Sequence, residues 1–381
     1  MTTELPERPP LGNALLAAAL LLPGLATVHA EEAPERAALS VKYLNYEESQ
    51  SGLDRIRVGS PSVSLVTPVA GDWSLSGSLT SDHVSGASPR YHTAVSGASR
   101  MKDTRRAGDV AVTRYLPSGS VTVGAAYSTE HDYVSRALSL TGTVSSADKN
   151  TTWSFGVGGS DDVIDPVNNI VSGESRQSVN LMLGVTQVLT PRDIAQLTLT
   201  RTQGHGYFSD PYKAFDNRPR ERDQNTLLAR WNHHHESSGG TSRLSYRYYN
   251  DSYGIRAHTL GAEYVQPLAQ GWRVTPSVRY YTQRAASFYF DPVYDATLGE
   301  PFPPGYVFSG TRFSSADQRL SGFGAVTLGI KVAKELNRDW TVDLKVEAYQ
   351  QRGAWRAFDS GSPGLDALHA RSIQLGLTRQ W

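Results

Sequence analysis

The chain has 381 residues, no cysteine, and 37 basic against 37 acidic side chains. The lack of cysteine excludes disulfides, thiolate metal sites and a cysteine nucleophile. The balanced charge argues against a nucleic-acid-binding surface. With 19 tyrosines and 7 tryptophans against 3 methionines, the composition favours a β protein rich in aromatic side chains at a membrane interface.

The first predicted element is a signal peptide over residues 1–30. An apolar run from Leu11 to Leu22 is followed by Pro23-Gly24 and by Val28-His29-Ala30, a small-residue cleavage site. We therefore expect the mature protein to start at Glu31 and to form one domain over residues 31–381. A short N-terminal membrane anchor is the alternative. No later stretch is apolar for long enough to predict a transmembrane helix.

Alternating runs of about ten residues follow, separated in turn by short turns and longer polar segments. In Trp340–Glu347, apolar residues alternate strictly with polar or charged ones. The pattern predicts an all-β fold, a transmembrane antiparallel β-barrel of about sixteen strands with short periplasmic turns and longer external loops. A soluble sandwich would share the alternation, but the number and length of the runs favour the barrel. The longer segments lie near 83–106, 161–174, 206–223, 287–316 and 353–368.

The last predicted strand has apolar residues at alternate positions and closes on an aromatic residue. Its residues Leu375, Leu377 and Trp381 resemble the assembly signal of bacterial outer-membrane barrels, so we expect the barrel assembly machinery to bind this strand. Tryptophans beside the short turns are expected at the level of the lipid headgroups. These are Trp73, Trp231, Trp272 and Trp340.

Several longer motifs lie along the predicted mature chain. They are Gly52–Ile56, Ser85–His92, Arg105–Val110, Glu130–Arg136, Thr190–Asp193, Gly206–Lys213, Asp216–Arg222 and Ser245–Tyr249 with Asp251–Gly254. Together they resemble the bacterial family catalogued as domain of unknown function 3570, and the resemblance covers nearly all of the mature chain. It implies an outer-membrane barrel with no assigned reaction, substrate or catalytic residue. Family members are often encoded near lipoproteins, thioredoxin-like proteins and flavin-attaching enzymes, which suggests a periplasmic or lipoprotein partner.

Strand parity predicts a row of arginines on the lumen side of four consecutive strands, because side chains two residues apart share a face. Such a row would concentrate anions in the lumen. The alternative is a structural ladder in which the arginines pair with acids of the external loops and plug the barrel. The predicted lumen residues are Arg230, Arg243, Arg247, Arg273 and Arg279 with Glu263 as the only acid, and Asp343, Lys345 and Glu347 form a mixed strip farther along.

The segment Tyr207–Asp223 is the second candidate for selectivity. It carries Arg218, Arg220 and Arg222 with several carboxylates, and a loop of this length is usually functional or mobile. We expect it to fold inward and constrict the channel. The aromatic-rich segment Phe288–Tyr294 is a candidate lid or surface contact.

Three further clusters contain residue types found in metal sites, calcium loops or catalytic triads, but their arrangement in the sequence does not favour these functions. His233 and His235 share a strand face that His234 does not, so interfacial histidines are favoured over a metal site. The acidic stretch Asp161–Asp165 lacks the spacing of a calcium loop and is interpreted as a solvated loop. His205, Ser209 and Asp210 are close in sequence, but closeness is not the geometry of a catalytic triad.

The sequence therefore predicts a non-enzymatic, porin-like channel for small solutes, anions included, in the outer membrane of a Gram-negative bacterium. No catalytic residue, metal or cofactor is predicted, and the expected partners are outer-membrane lipid and the assembly machinery. One alternative is a plugged barrel that scaffolds an envelope redox or assembly complex. The other is a barrel-embedded hydrolase.

Overall fold

A computed structural model describes residues 32–50, 53–88, 99–213, 215–292, 302–307, 309 and 312–381. In these residues, sixteen antiparallel strands form one closed barrel, as predicted. The predicted signal peptide lies outside the described residues. The strands are β1 Ala38–Gln50, β2 Leu53–Ala70, β3 Trp73–Ser88, β4 Ser99–Leu116, β5 Gly119–Thr129, β6 Tyr133–Ser145, β7 Thr151–Ile164, β8 Glu174–Thr190, β9 Asp193–Gly206, β10 Glu221–His235, β11 Gly240–Asp251, β12 Arg256–Pro267, β13 Trp272–Gln283, β14 Phe323–Glu335, β15 Trp340–Arg352 and β16 Leu368–Gln380.

The barrel closes where the first strand meets the last. In the antiparallel pairing of β1 with β16, Val41 lies opposite Leu377 and Tyr43 lies opposite Leu375. All four side chains are exposed, although they are apolar or aromatic. Closure leaves no free strand edge, which is how a β-structure satisfies its backbone hydrogen bonds within lipid.

The outer face carries the large apolar side chains along every strand. Leu79 and Leu138 are 70% and 69% exposed, respectively, an exposure that suits contact with lipid and not with water. The opposite face of β3–β9 carries small or hydroxylated side chains. Examples at paired inward positions are Ser78, Thr80, Gly124, Ser139, Gly158 and Thr200.

Tryptophans lie on the outer face beside the short turns. Trp73, Trp231 and Trp272 are about two-fifths exposed. Three of the four tryptophans predicted at the headgroup level also contact a cation. Arg114, Lys334 and Arg379 lie over the rings of Trp73, Trp272 and Trp340, at 5.5, 5.2 and 5.5 Å from the ring centroids. A ring in lipid with a cation above it is typical of the headgroup level.

Two predicted loops are shorter than the sequence suggested. The segment near 83–106 is mostly strand, because β3 pairs with β4 as far as Ser88 and Ser99. The prediction that the acidic stretch Asp161–Asp165 is a solvated loop is wrong for Asp161 and Asp162, because both residues belong to β7. Asp162 is buried because its carboxylate pairs with Arg176 on β8, at 2.8 Å. None of the helices in the described residues is long and apolar enough to span a membrane.

Candidate functional site

The strand register places the predicted arginine row on one face of β10–β13. Arg243 lies opposite Glu263, and Arg279 lies opposite Gly261 on the same strand as Glu263. Positions that alternate with them, such as Leu244 and Leu260, are exposed apolar residues of the outer face. The arginines therefore face the lumen. By the same alternation, the inward set is Arg230 on β10, Arg243 and Arg247 on β11, and Arg273 and Arg279 on β13.

The central arginines are weakly neutralised. A guanidinium nitrogen of Arg243 is 4.0 Å from the Glu263 carboxylate, and the two side chains are 53% and 49% exposed. Arg279 donates to the hydroxyl of Thr327 at 3.1 Å. The Nε of Arg247 is buried and has no hydrogen-bond partner among the described residues. Half-exposed side chains that point inward indicate open space at this level of the lumen.

Arg273 differs from the other four arginines. It lies at the end of β13 next to the short turn, and it donates to Glu335 at 2.8 Å. The pair is about half exposed, so it contributes little to stability and neutralises Arg273 locally.

The mixed strip continues the lumen charge around the wall. On β15, Asp343 pairs with Lys331 of β14 at 3.4 Å, and Lys345 contacts Glu347 at 2.9 Å. Lys42 on β1 faces the same side, opposite Gly376. The described inward wall from β10 to β1 therefore carries more cations than carboxylates, whereas β3–β9 present mainly hydroxyls and glycines at mid-height.

The three arginines of the segment Tyr207–Asp223 lie in different environments. Arg218 is buried and donates to Asp216 at 2.9 Å and to Asp317 at 2.7 Å. Arg222, in β10, binds the buried Asp251 at 2.7 Å. Arg220 pairs with Glu174 at the exposed rim.

This loop crosses the barrel mouth. The hydroxyl of Tyr212 donates to Asp132, in the connection between β5 and β6, at 2.7 Å. The neighbouring Lys213 is within electrostatic reach of Glu48 on β1. Residues on opposite parts of the wall are therefore joined through one loop. We call the described residues of 207–220 and 284–322 the mouth cap.

The two loops of the mouth cap are locked together. Backbone hydrogen bonds join Asn217 and Ser314 in both directions, at 2.8 and 3.0 Å. Arg319 binds Asp210 at 2.7 Å and also contacts Asp317. Asp317 and Arg319 are not among the residues that the sequence predicts to be functional. Their spacing, with acid and arginine two residues apart, repeats that of Asp216 and Arg218, which is the only local signal.

An aromatic cluster supports the mouth cap from the barrel side. Tyr253, 1% exposed, packs against Phe208 and Phe288, with ring centroids 6.3 and 5.0 Å apart. Phe290 contacts Phe302 and Tyr306 at 6.3 and 5.0 Å. The predicted aromatic segment therefore packs within the mouth cap. Its last two residues, Val293 and Tyr294, lie outside the described residues.

The histidine triplet lies on β10 beside the short turn and binds neighbouring side chains. His233 contacts Asp193 at 2.7 Å, and His235 contacts Ser242 at 2.8 Å. Their rings are 4.6 Å apart on the outer face. His234 faces inward and contacts Thr241 at 3.3 Å. In the described part of the chain, the one group of three convergent metal-ligand side chains lies elsewhere, at Asp103, Glu130 and Asp132.

The residues of the hydrolase alternative each contact a different partner. His205 lies 3.9 Å from Glu221 on the exposed surface. Ser209 accepts a hydrogen bond from the backbone of Arg218 at 3.0 Å, and Asp210 binds Arg319. These contacts give no nucleophile and base in hydrogen-bond reach of each other.

Comparisons with known proteins agree with the architecture. The chain matches the model of a family described as "Protein of unknown function (DUF3570)" over residues 12–100 and 94–362. No curated protein is significantly similar in sequence. A bacterial polysaccharide outer membrane secretin shares 11% identity at a TM-score of 0.51, covering 93% of this chain and 100% of that one.

Two structures from Pseudomonas aeruginosa are similar at lower scores. OccK2 (OpdF) has a TM-score of 0.43 and 8% identity, over 91% of this chain and 97% of that chain. The siderophore receptor PirA has a TM-score of 0.44 and 9% identity, over 92% of this chain and 81% of that chain. Together with the closed barrel, the likeness to the secretin shows the fold of an outer-membrane β-barrel.

Proposed function

Because the chain belongs to the DUF3570 family and has the fold of an outer-membrane β-barrel, we propose that it is a channel for small anionic solutes in a Gram-negative outer membrane. The observation that carries the proposal is the inward arginine row of Arg230, Arg243, Arg247 and Arg279. Glu263 is the acid that faces this row, and it lies no closer than 4.0 Å to Arg243.

The electrostatic consequence follows from the low dielectric of the surrounding lipid. Charge of one sign on the wall of such a lumen focuses the field and raises the local concentration of ions of the opposite sign. The open space around Arg243 and Glu263 keeps these groups accessible to a solute. The mouth cap then supplies the constriction at the external end.

The test is single-channel conductance of the refolded chain from Glu31 onward in a planar lipid bilayer. We expect discrete conductance steps with anion preference. Replacing Arg243, Arg247 and Arg279 by glutamine should lower the ratio of anion to cation permeability by about tenfold, the lower end of the effect of a charged cleft.

The matched control is Arg371→Gln. Arg371 pairs with Glu47 on the outer surface, and its side chain is 77% exposed, so its loss should leave the selectivity unchanged. Equal anion preference in the triple variant and the wild type would contradict the role of the arginine row.

The mouth cap favours a second candidate function, a plugged barrel that scaffolds an envelope complex. Loops that cross the mouth and share the buried pair of Arg218 with Asp317 suit a closed plug as well as a constriction. This candidate predicts a folded protein that is silent in the bilayer and that co-purifies with a periplasmic or lipid-anchored partner. Conductance with anion preference would argue against it.

A further inference from the structure

Three carboxylates converge at the external rim of the barrel, away from the arginine row. Asp103 lies on β4, and Glu130 and Asp132 lie in the short connection between β5 and β6. One carboxylate oxygen from each residue lies within 4.8 Å of the others. Glu130 and Asp132 are buried, at 9% and 8% exposure.

Among the described residues, Arg105 is the arginine in ion-pair reach of Glu130, and its closer contacts are with other side chains. Arg105 is 4.0 Å from Glu130, but it is held at 2.9 Å by Asp82 and at 2.9 Å by the hydroxyl of Ser128. With Asp82 bound to Arg105, the described side chains around the three converging carboxylates leave an excess of negative charge. Buried charges of one sign without a counterion are strongly unfavourable.

A second observation concerns the buried oxygens of Asp132. Its Oδ2 accepts the hydroxyl hydrogen of Tyr212 at 2.7 Å. Its Oδ1 is also buried and has no hydrogen-bond partner among the described residues. A buried carboxylate oxygen without a donor lacks the partner that a bound ion or a water molecule would supply.

We propose that Asp103, Glu130 and Asp132 bind a calcium ion. The three ligands are carboxylates, which hard divalent cations prefer, and the group contains no imidazole or thiolate that would favour a transition metal. Ca²⁺ accepts six to eight oxygens in irregular geometry, so water can complete the shell, whereas Mg²⁺ demands a near-ideal octahedron.

The ion would connect the rim to the mouth cap. It would join the first part of β4 to the β5–β6 connection. Asp132 in turn accepts a hydrogen bond from Tyr212, in the loop that crosses the mouth. The chemistry of this site is independent of the arginine row, so the site can exist whether the barrel conducts or is plugged.

The test is isothermal titration of Ca²⁺ into the refolded protein in zwitterionic detergent, after treatment with a chelator. We expect one site with a dissociation constant of about 10⁻⁴–10⁻³ M, the range of extracellular calcium modules. The double variant Glu130→Gln/Asp132→Asn should lose this binding. The control Asp161→Asn removes an exposed carboxylate of the same rim and should bind as the wild type does.

Thermal unfolding of the same proteins separates lost binding from lost folding. The double variant removes like charges, so we expect it to fold and to unfold at the same temperature with or without Ca²⁺. The wild type and Asp161→Asn should unfold at a higher temperature when Ca²⁺ is added. A wild type with neither heat of binding nor thermal shift would overturn the proposal, as would a double variant that binds equally well.

Discussion

The carboxylate of Asp317 holds two arginines together inside the mouth cap. Arg218 donates to its Oδ2 at 2.7 Å, and the side chain and backbone N–H of Arg319 donate at 2.8 and 2.9 Å. The carboxylate is fully buried. Burial alone would raise the pKa of Asp317, but the surrounding cations outweigh burial and hold the pKa well below its ordinary range. The group is therefore charged at neutral pH.

We predict that Asp317→Asn opens the mouth cap without unfolding the barrel. The change removes the counterion that the buried Arg218 shares with the partly buried Arg319, and breaking a buried ion pair costs about 3–5 kcal/mol. Hydrogen exchange should show lost protection of the Arg319 and Leu320 amides, which donate to Asp317. Protection of the strand amides should not change.

Asp339→Asn is the matched control for this prediction. Asp339 contacts Arg36 beside the short turn after β14, and its side chain is 54% exposed. An exposed pair contributes about 0–1 kcal/mol, so exchange in the mouth cap should equal that of the wild type. Full protection of the Arg319 amide in Asp317→Asn would show that other contacts hold the cap.

At the scale of elements, the strands could be predicted from the sequence, whereas the contacts that hold the mouth cap together could not. Alternation is a local pattern, so the parity that places Arg243 and Arg279 in the lumen follows from neighbours such as Leu244 and Val278. The contact of Arg218 with Asp317 joins residues 99 positions apart, and no local period encodes it. Asp162 was misplaced for the same reason, because its partner Arg176 lies on the next strand.

The loop between β15 and β16 docks against β14 at a glycine. A Cβ atom on Gly324 would lie 1.8 Å from the carbonyl oxygen of Trp355, which accepts the hydroxyl hydrogen of Tyr280 at 2.7 Å. The carbonyl group of Trp355 and a side chain at position 324 cannot both occupy this space. The sequence alone does not distinguish this glycine from the many others in the strands.

We predict that Gly324→Ala releases this loop. Overpacking costs about 1–3 kcal/mol, so the undocked population should rise by about tenfold, and trypsin should cleave correspondingly faster after Arg356. Gly142→Ala is the control, since the nearest atom to its Cβ is 3.6 Å away, an ordinary contact. Equal cleavage rates for the two variants would contradict the role assigned to Gly324.

At the scale of the whole molecule, the lumen wall is divided by charge. On β3 to β9, the inward positions at mid-height are mainly serine, threonine and glycine. Most of the inward cations lie on the other strands, from β10 to β16 and on β1. A solute with a negative group and a neutral polar body could place the negative group against the basic side and the neutral body against the hydroxyl-rich side. The mouth cap arises from the loop after β9 and the loop after β13, so it lies above the basic side and extends toward the hydroxyl-rich side through Tyr212.

This arrangement predicts that movement of the mouth cap controls passage. Asn217 and Ser314 exchange two backbone hydrogen bonds, and such a pair has its Cα atoms about 5.5 Å apart, within the range of a disulfide. Because the chain has no cysteine, Asn217→Cys/Ser314→Cys introduces one unambiguous bridge. We expect oxidation to abolish most of the current in a planar bilayer and a reductant to restore it.

The single variant Asn217→Cys under the same oxidant controls for chemical damage and should conduct as the wild type does. Unchanged current through the oxidised double variant would mean that solutes pass beside a static cap. The constriction would then lie at the arginine row, where loss of Arg243, Arg247 and Arg279 should change the size of the conductance step as well as its anion preference.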